Sequence, residues 1–75
     1  MRKRKLVLGG LYRHFKGGLV KVLGEAKHSE TLEEMVVYVH LEDGKVWVRP
    51  KEMFLEKITH DGKTYYRFEQ VEGKE

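Results

Sequence analysis

Two runs of β-branched and aromatic residues joined through Asp43-Gly44 constrain this 75-residue chain more than any other feature. The first is Met35-Val36-Val37-Tyr38-Val39-His40-Leu41 and the second is Lys45-Val46-Trp47-Val48-Arg49-Pro50. Asp-Gly accepts the positive φ values of a type I′ turn, whose twist matches that of the flanking strands, so the pair reads as a β-hairpin. A two-residue turn sets Glu42 opposite Lys45, Leu41 opposite Val46, His40 opposite Trp47, Val39 opposite Val48 and Tyr38 opposite Arg49. Side chains alternate along a strand, so Val37, Val39, Leu41, Val46 and Val48 share one face. That face is expected to be core. Tyr38, His40, Trp47 and Arg49 share the other, which is expected to point outward as a recognition surface.

The rest of the chain supports a β architecture. Leu11 to Phe15 alternates, with Tyr12 and His14 on one side, and Lys16-Gly17-Gly18 turns it into Leu19-Val20-Lys21-Val22-Leu23. Gly24 permits a bulge, after which Glu25-Ala26-Lys27 extends the strand. Leu32, Met35, Val36 and Val39 have helical spacing and Thr31 with Glu34 could make a capping box. The run Val36 to Val39 loses rotamer freedom in a helix, however, and the Asp-Gly return decides for a strand. Pro50 ends that hairpin and suits one helical turn, Lys51-Glu52-Met53. Phe54 to Ile58 and Lys63 to Val71 form a further hairpin across Asp61-Gly62, with Ile58 facing Tyr65, Glu56 facing Arg67 and Leu55 facing Phe68. The expected fold is therefore mainly β: a small SH3-like barrel of five to six antiparallel strands with one short helical turn after Pro50. It divides into a basic arm at 1–9, a single barrel domain at 10–71 and a polar tail at 72–75.

Composition narrows the classes. Hydrophobic residues are 40% and charged residues 36%, which fits a folded soluble domain and not a disordered segment. With no cysteine there is neither a disulfide framework nor a cysteine-based metal site, and a reducing cytoplasm is the expected setting. Leu6-Val7-Leu8 is too short for a signal-peptide core or a membrane span. The net charge of +3 comes from Arg2, Lys3, Arg4 and Lys5, which form a candidate nucleic-acid arm on a body close to neutral.

Several blocks recur in a known order: Gly10-Leu11-Tyr12-Arg13-His14-Phe15-Lys16-Gly17-Gly18, Ala26-Lys27-His28-Ser29-Glu30-Thr31, Val36-Val37-Tyr38, Trp47-Val48-Arg49-Pro50, Phe54 and Arg67-Phe68. From about Gly10 to Phe68 the chain resembles a family of small, mostly bacterial domains of unknown function with His-Ser-Glu-Thr and Trp-Val-Arg-Pro signatures. The resemblance implies an SH3-like barrel and little about activity. Phe15 and Leu19 depart from it where tyrosines are expected, and Tyr66 where a proline often precedes Arg-Phe.

The chemistry carried by these residues is that of a binding module more than of an enzyme. His28-Ser29-Glu30-Thr31 has neither the converging base nor the strand-turn-helix setting that a serine nucleophile needs, so its hydroxyls read as braces for a turn. His28 and Glu30 share a face if extended and could orient a ligand, or serve as acid and base of a small hydrolase or lyase. Four histidines without a His-x-x-x-His pair make no metal site, and no cofactor is expected. Trp47 and Arg49 lie two apart on one strand: an indole stacks a flat ring while a guanidinium pairs with a carboxylate or phosphate. The alternative for them is structural, with Trp47 capping the barrel and Arg49 paired to Glu30, Glu33 or Glu56.

The ligand surface so read combines Tyr12, His14, His28, Glu30, Tyr38, Trp47 and Arg49. The expected ligand is small, polar or anionic, with a planar part, such as a nucleotide, a modified base or a peptide carboxylate. Single-stranded nucleic acid, held by the arm and exposed aromatics, is the alternative partner.

Overall fold

The computed structural model describes residues 5–71; Arg2, Lys3 and Arg4 of the basic arm and the tail at 72–75 lie outside the described residues. The strands are β1 (Leu11–His14), β2 (Leu19–Lys27), β3 (Glu34–His40), β4 (Val46–Pro50), β5 (Lys57–His60), β6 (Lys63–Tyr66) and β7 (Phe68–Gln70), with one helix, α1 (Lys51–Leu55), directly after Pro50. Five strands form a sheet in the order β4-β3-β2-β1-β7, and β5-β6 is a separate two-stranded sheet. Among the described residues the expectation of five to six strands is thus corrected to seven, and the closed barrel to an open sheet ending at β4 and β7. The reason lies in the last third of the chain: β5 and β6 pair with one another, and only the short β7 returns to the main sheet, on β1.

Local chemistry sets the connections. Gly17 and Gly18 both have positive φ, and His14 N–H donates to the Gly18 carbonyl at 3.0 Å to close the β1–β2 turn. The β2–β3 pairing slips between Val22 and Gly24, so the bulge expected at Gly24 is present. In the second hairpin Ile58 faces Tyr65 as read from the sequence. Glu56 and Arg67 meet there twice: Arg67 N–H donates to the Glu56 carbonyl at 2.9 Å, and Arg67 Nη2 to Glu56 Oε2 at 2.6 Å. Leu55 does not face Phe68 on a strand; it ends α1, while Phe68 opens β7 opposite His14.

The central hairpin differs from expectation in register. Its loop is longer than two residues: His40 N–H donates to the Lys45 carbonyl, Gly44 N–H to the His40 carbonyl, and Lys45 N–H to Asp43 Oδ1. Tyr38 therefore faces Trp47, Val39 faces Val46, Val37 faces Val48 and Val36 faces Arg49. The shift is by two residues, an even number, so the division of side chains between faces survives.

Which face is inside is reversed. The buried core is Tyr12, Val20, Val22, Val36, Tyr38, Phe54 and Phe68, with Leu6 and Leu55 packed against it. Val46 and Val48, expected in the core, are 59% and 57% exposed. The cause is pairing with β2, where Val20 and Val22 stand beside His40 and Tyr38 and place the Tyr38 side inward, while Lys21 stands beside Val39 and places the valine side outward. Phe54 then closes the inner face from α1, stacked on Phe68 with ring centres 4.2 Å apart and planes 7° from parallel. The close of the basic arm is tied to this body, since Val7 N–H donates to the Tyr12 hydroxyl at 3.1 Å and Gly9 N–H to the Val22 carbonyl at 2.8 Å.

Candidate functional site

The inner face of the sheet is apolar at its centre and cationic at one end. Phe68, fully buried, is the floor there. His14 packs edge-on against it at 5.0 Å between ring centres, Tyr38 at 5.4 Å, and the Arg49 guanidinium lies 5.6 Å from its centre. Each neighbour is fixed by register: His14 pairs with Phe68 across β1–β7, and Arg49 pairs with Val36, one inward position from Tyr38 on β3. Trp47 stands at the rim of the same face, 53% exposed, with His40 edge-on to its indole at 5.7 Å.

Arg49 Nε–H makes a long hydrogen bond of 3.4 Å to the Tyr38 hydroxyl. Among the described residues no carboxylate pairs with Arg49. The pairing with Glu30, Glu33 or Glu56 considered from the sequence is absent, and Glu56 takes Arg67 instead. Arg67 Nε–H is buried without a hydrogen-bond partner.

The field at this mouth is visible in His14. Burial holds its pKa below the ordinary 6.5, and the positive charges of Arg49, Arg67, Lys16 and His40 push it the same way. Lys16 N–H donates to His14 Nδ1 at 3.2 Å, so the neutral ring carries its proton on Nε2. The mouth therefore offers guanidinium N–H groups and an imidazole Nε2–H beside an exposed indole. All are donors or rings, suited to an anion with a flat part.

Of the residues read as a ligand surface, His14, Tyr38, Trp47 and Arg49 come together here. Tyr38 does so through its hydroxyl, because its ring is buried. Tyr12 lies in the core with its hydroxyl on Val7 N–H, away from the mouth. His28 and Glu30 sit in the β2–β3 connection, beyond the Lys27–Glu34 rung, whereas His40 lies on the Val20 rung at the other end of β3. At about 3.3 Å per residue, the length of β3 separates them by roughly 20 Å.

That connection has a role of its own. His28 Nδ1 accepts Glu30 N–H at 3.1 Å and Thr31 N–H at 3.4 Å, and Thr31 Oγ1 accepts Glu33 N–H at 3.1 Å. Backbone bonds from His28 N–H to the Glu33 carbonyl and from Leu32 N–H to the His28 carbonyl complete a turn in which Leu32 takes a φ of 63°. The brace expected of the hydroxyls is shared by Thr31 and, chiefly, the His28 imidazole. Among the described residues no group of three His, Asp or Glu is placed to hold a metal ion, and no helix is long and apolar enough to cross a membrane. Lys5, the one described residue of the four read as a candidate nucleic-acid arm, is exposed.

Sequence reasoning missed Arg67 and Phe68 at this site, because their placement depends on β7 pairing with β1. It also missed a cleft of about 430 Å³ beyond β7, where Phe15 and Tyr65 are among the lining residues. His14 borders both.

A family model described as "Protein of unknown function (DUF1653)" matches residues 10–70. The chain belongs to this family. A crystal structure of a DUF1653 protein from Bordetella bronchiseptica is similar at a TM-score of 0.77 and 31% identity, over 87% of this chain and 87% of that one. No curated protein matches the chain. The family match begins at Gly10, after the basic arm, and covers every residue of the mouth.

Proposed function

We propose that this DUF1653 chain is a binding module, an open variant of an SH3-like barrel, that takes a small anionic ligand with a planar part at the His14–Trp47–Arg49 mouth. The observation that carries the reading is the unbalanced charge. Arg49 and Lys16 both stand near His14, and among the described residues neither has a carboxylate partner, whereas Arg67 is balanced by Glu56. A cluster of like charges costs free energy that an arriving anion recovers, so the site is poised for a phosphate or carboxylate. Arg49 pairs with the anion, His14 donates from Nε2, and the Trp47 indole stacks the flat part. A cytoplasmic setting goes with this reading, since a cysteine-free chain this small suits a reducing compartment.

Chemical-shift mapping of the labelled protein with adenosine monophosphate tests the proposal. The shifts should centre on His14, His40, Trp47 and Arg49. Shifts confined to the His28–Glu33 turn, or none at millimolar ligand, would overturn it.

A further inference from the structure

The rings of this molecule do not stop at the mouth. Trp47 meets His40 at 5.7 Å, His40 meets Tyr38 at 5.9 Å, and Tyr38 and His14 share Phe68. His14 then meets Phe15 at 4.7 Å, and Phe15 faces Tyr65 across 6.2 Å with planes 28° apart. This last pair walls the 430 Å³ cleft between the β1–β7 edge and the β5–β6 hairpin. A series of ring contacts, running through the buried rings of Tyr38 and Phe68, thus joins two places where a ring is exposed: the Trp47 indole at one end and Tyr65, 38% exposed, at the other. Between them the Arg49 guanidinium lies 5.6 Å from the centre of Phe68 and the Lys16 ammonium 5.7 Å from that of Phe15.

Beside Trp47 stand the His40 ring and, across the hairpin, Tyr38. The cleft wall carries Arg13 together with Glu69 and Gln70, Arg13 standing opposite Glu69 in the β1–β7 register. The Glu69 carboxylate and the Gln70 amide there offer acceptors to the N–H groups of a base edge, with the Arg13 charge balancing Glu69. One ring site at the cleft, one at Trp47 and the Arg49 and Lys16 cations between them suit a short single strand whose bases meet separate aromatic side chains while its backbone meets the cations.

We infer that the Phe15–Tyr65 cleft is a second base-binding subsite, and that the mouth and the cleft together hold a short stretch of single-stranded nucleic acid. The backbone phosphates of the strand lie against His14 and Arg49, and one base occupies each ring site. This assignment rests on the anion reading of the mouth and adds to it the class of ligand.

The test compares adenosine monophosphate with a four-residue oligodeoxyadenylate, by calorimetry and by emission of Trp47, the single tryptophan, in the wild-type, Tyr65→Ala and Tyr65→Leu proteins. Tyr65 is exposed, so Leu keeps the bulk and the fold while removing the aromatic face. The oligonucleotide should bind the wild type at least tenfold tighter than the monophosphate. Both variants should lose most of that gain, roughly tenfold for one base–ring stack, with monophosphate affinity unchanged. Equal affinity for the two ligands, or an oligonucleotide affinity indifferent to Tyr65, overturns the second subsite and leaves the mouth standing. Failure of both ligands to perturb Trp47 overturns the mouth as well.

Discussion

Arg49 and Tyr38 meet where the core opens to solvent, with the guanidinium Nε 3.4 Å from the phenol oxygen. The whole Tyr38 side chain is buried and its hydroxyl accepts from Arg49, so one residue both fills the interior and steadies the cation at the rim. Tyr38→Phe separates these roles. Packing is retained, so stability should fall by no more than about 1 kcal/mol, the worth of one hydrogen bond at a partly solvated site. The freed guanidinium should bind adenosine monophosphate several-fold more weakly. Urea denaturation and calorimetry check the two halves; a large loss of stability with unchanged affinity would contradict the division.

The reversal of the central hairpin's faces makes a sharp contrast between two valines. Val36 is fully buried and Val48 is 57% exposed. Val36→Ala should cost about 2 kcal/mol, through lost burial and the cavity left behind. Val48→Ala should cost less than about 0.5 kcal/mol. Urea midpoints for the two variants decide it, and comparable losses would mean that the outer valine face is covered in solution.

Strand parity was legible in the sequence and its sense was not. Alternation groups Tyr38, His40, Trp47 and Arg49 whatever the loop length, provided the register shifts by an even number, and the observed loop shifts it by two. It cannot say which group faces the core when both contain large apolar side chains. The deciding residue was Lys21, between Val20 and Val22: once β2 lies beside β3, its charge marks the valine side as the outside. Reading β2 together with β3 would have given the right sense, because Val22 pairs with Tyr38. Local pairs such as Ile58 with Tyr65 and Glu56 with Arg67 were legible because a true two-residue turn fixes them. Phe68 beside His14 was not, since the β1–β7 pairing joins opposite ends of the chain.

The His28 turn predicts a structural effect without a functional one. His28→Ala removes the acceptor for two backbone N–H groups and should destabilise the protein by about 1 kcal/mol, comparable to losing a helix cap. Glu30→Ala should have almost no effect on stability, because Glu30 takes part in this turn through its backbone. Neither change should alter ligand affinity. A loss of binding in either would return the His-Ser-Glu-Thr stretch to the site.

Acid should weaken the fold through His14. Its pKa is lowered in the native state by burial, then by Arg49, Arg67, Lys16 and His40, from a value near 6.5 in the unfolded chain. Between the two values the unfolded chain holds a proton that the native one does not. Stability from this residue is therefore complete above pH 6.5 and declines as pH falls from there towards the native pKa. His14→Gln should flatten that part of the stability–pH curve. A bound phosphate should raise the His14 pKa, which imidazole NMR titration with and without adenosine monophosphate would read directly.

The account depends most on the unpaired charge of Arg49. Calorimetric titration with adenosine monophosphate and with adenosine, on the wild-type and Arg49→Ala proteins, isolates that charge. The monophosphate should bind the wild type at least tenfold more tightly than adenosine, the scale of a charge-assisted hydrogen bond of about 1.5–3 kcal/mol. Arg49→Ala should bring the two ligands close to equality. Equal affinities in the wild type, or a preference for the phosphate that survives loss of Arg49, would contradict the anion site.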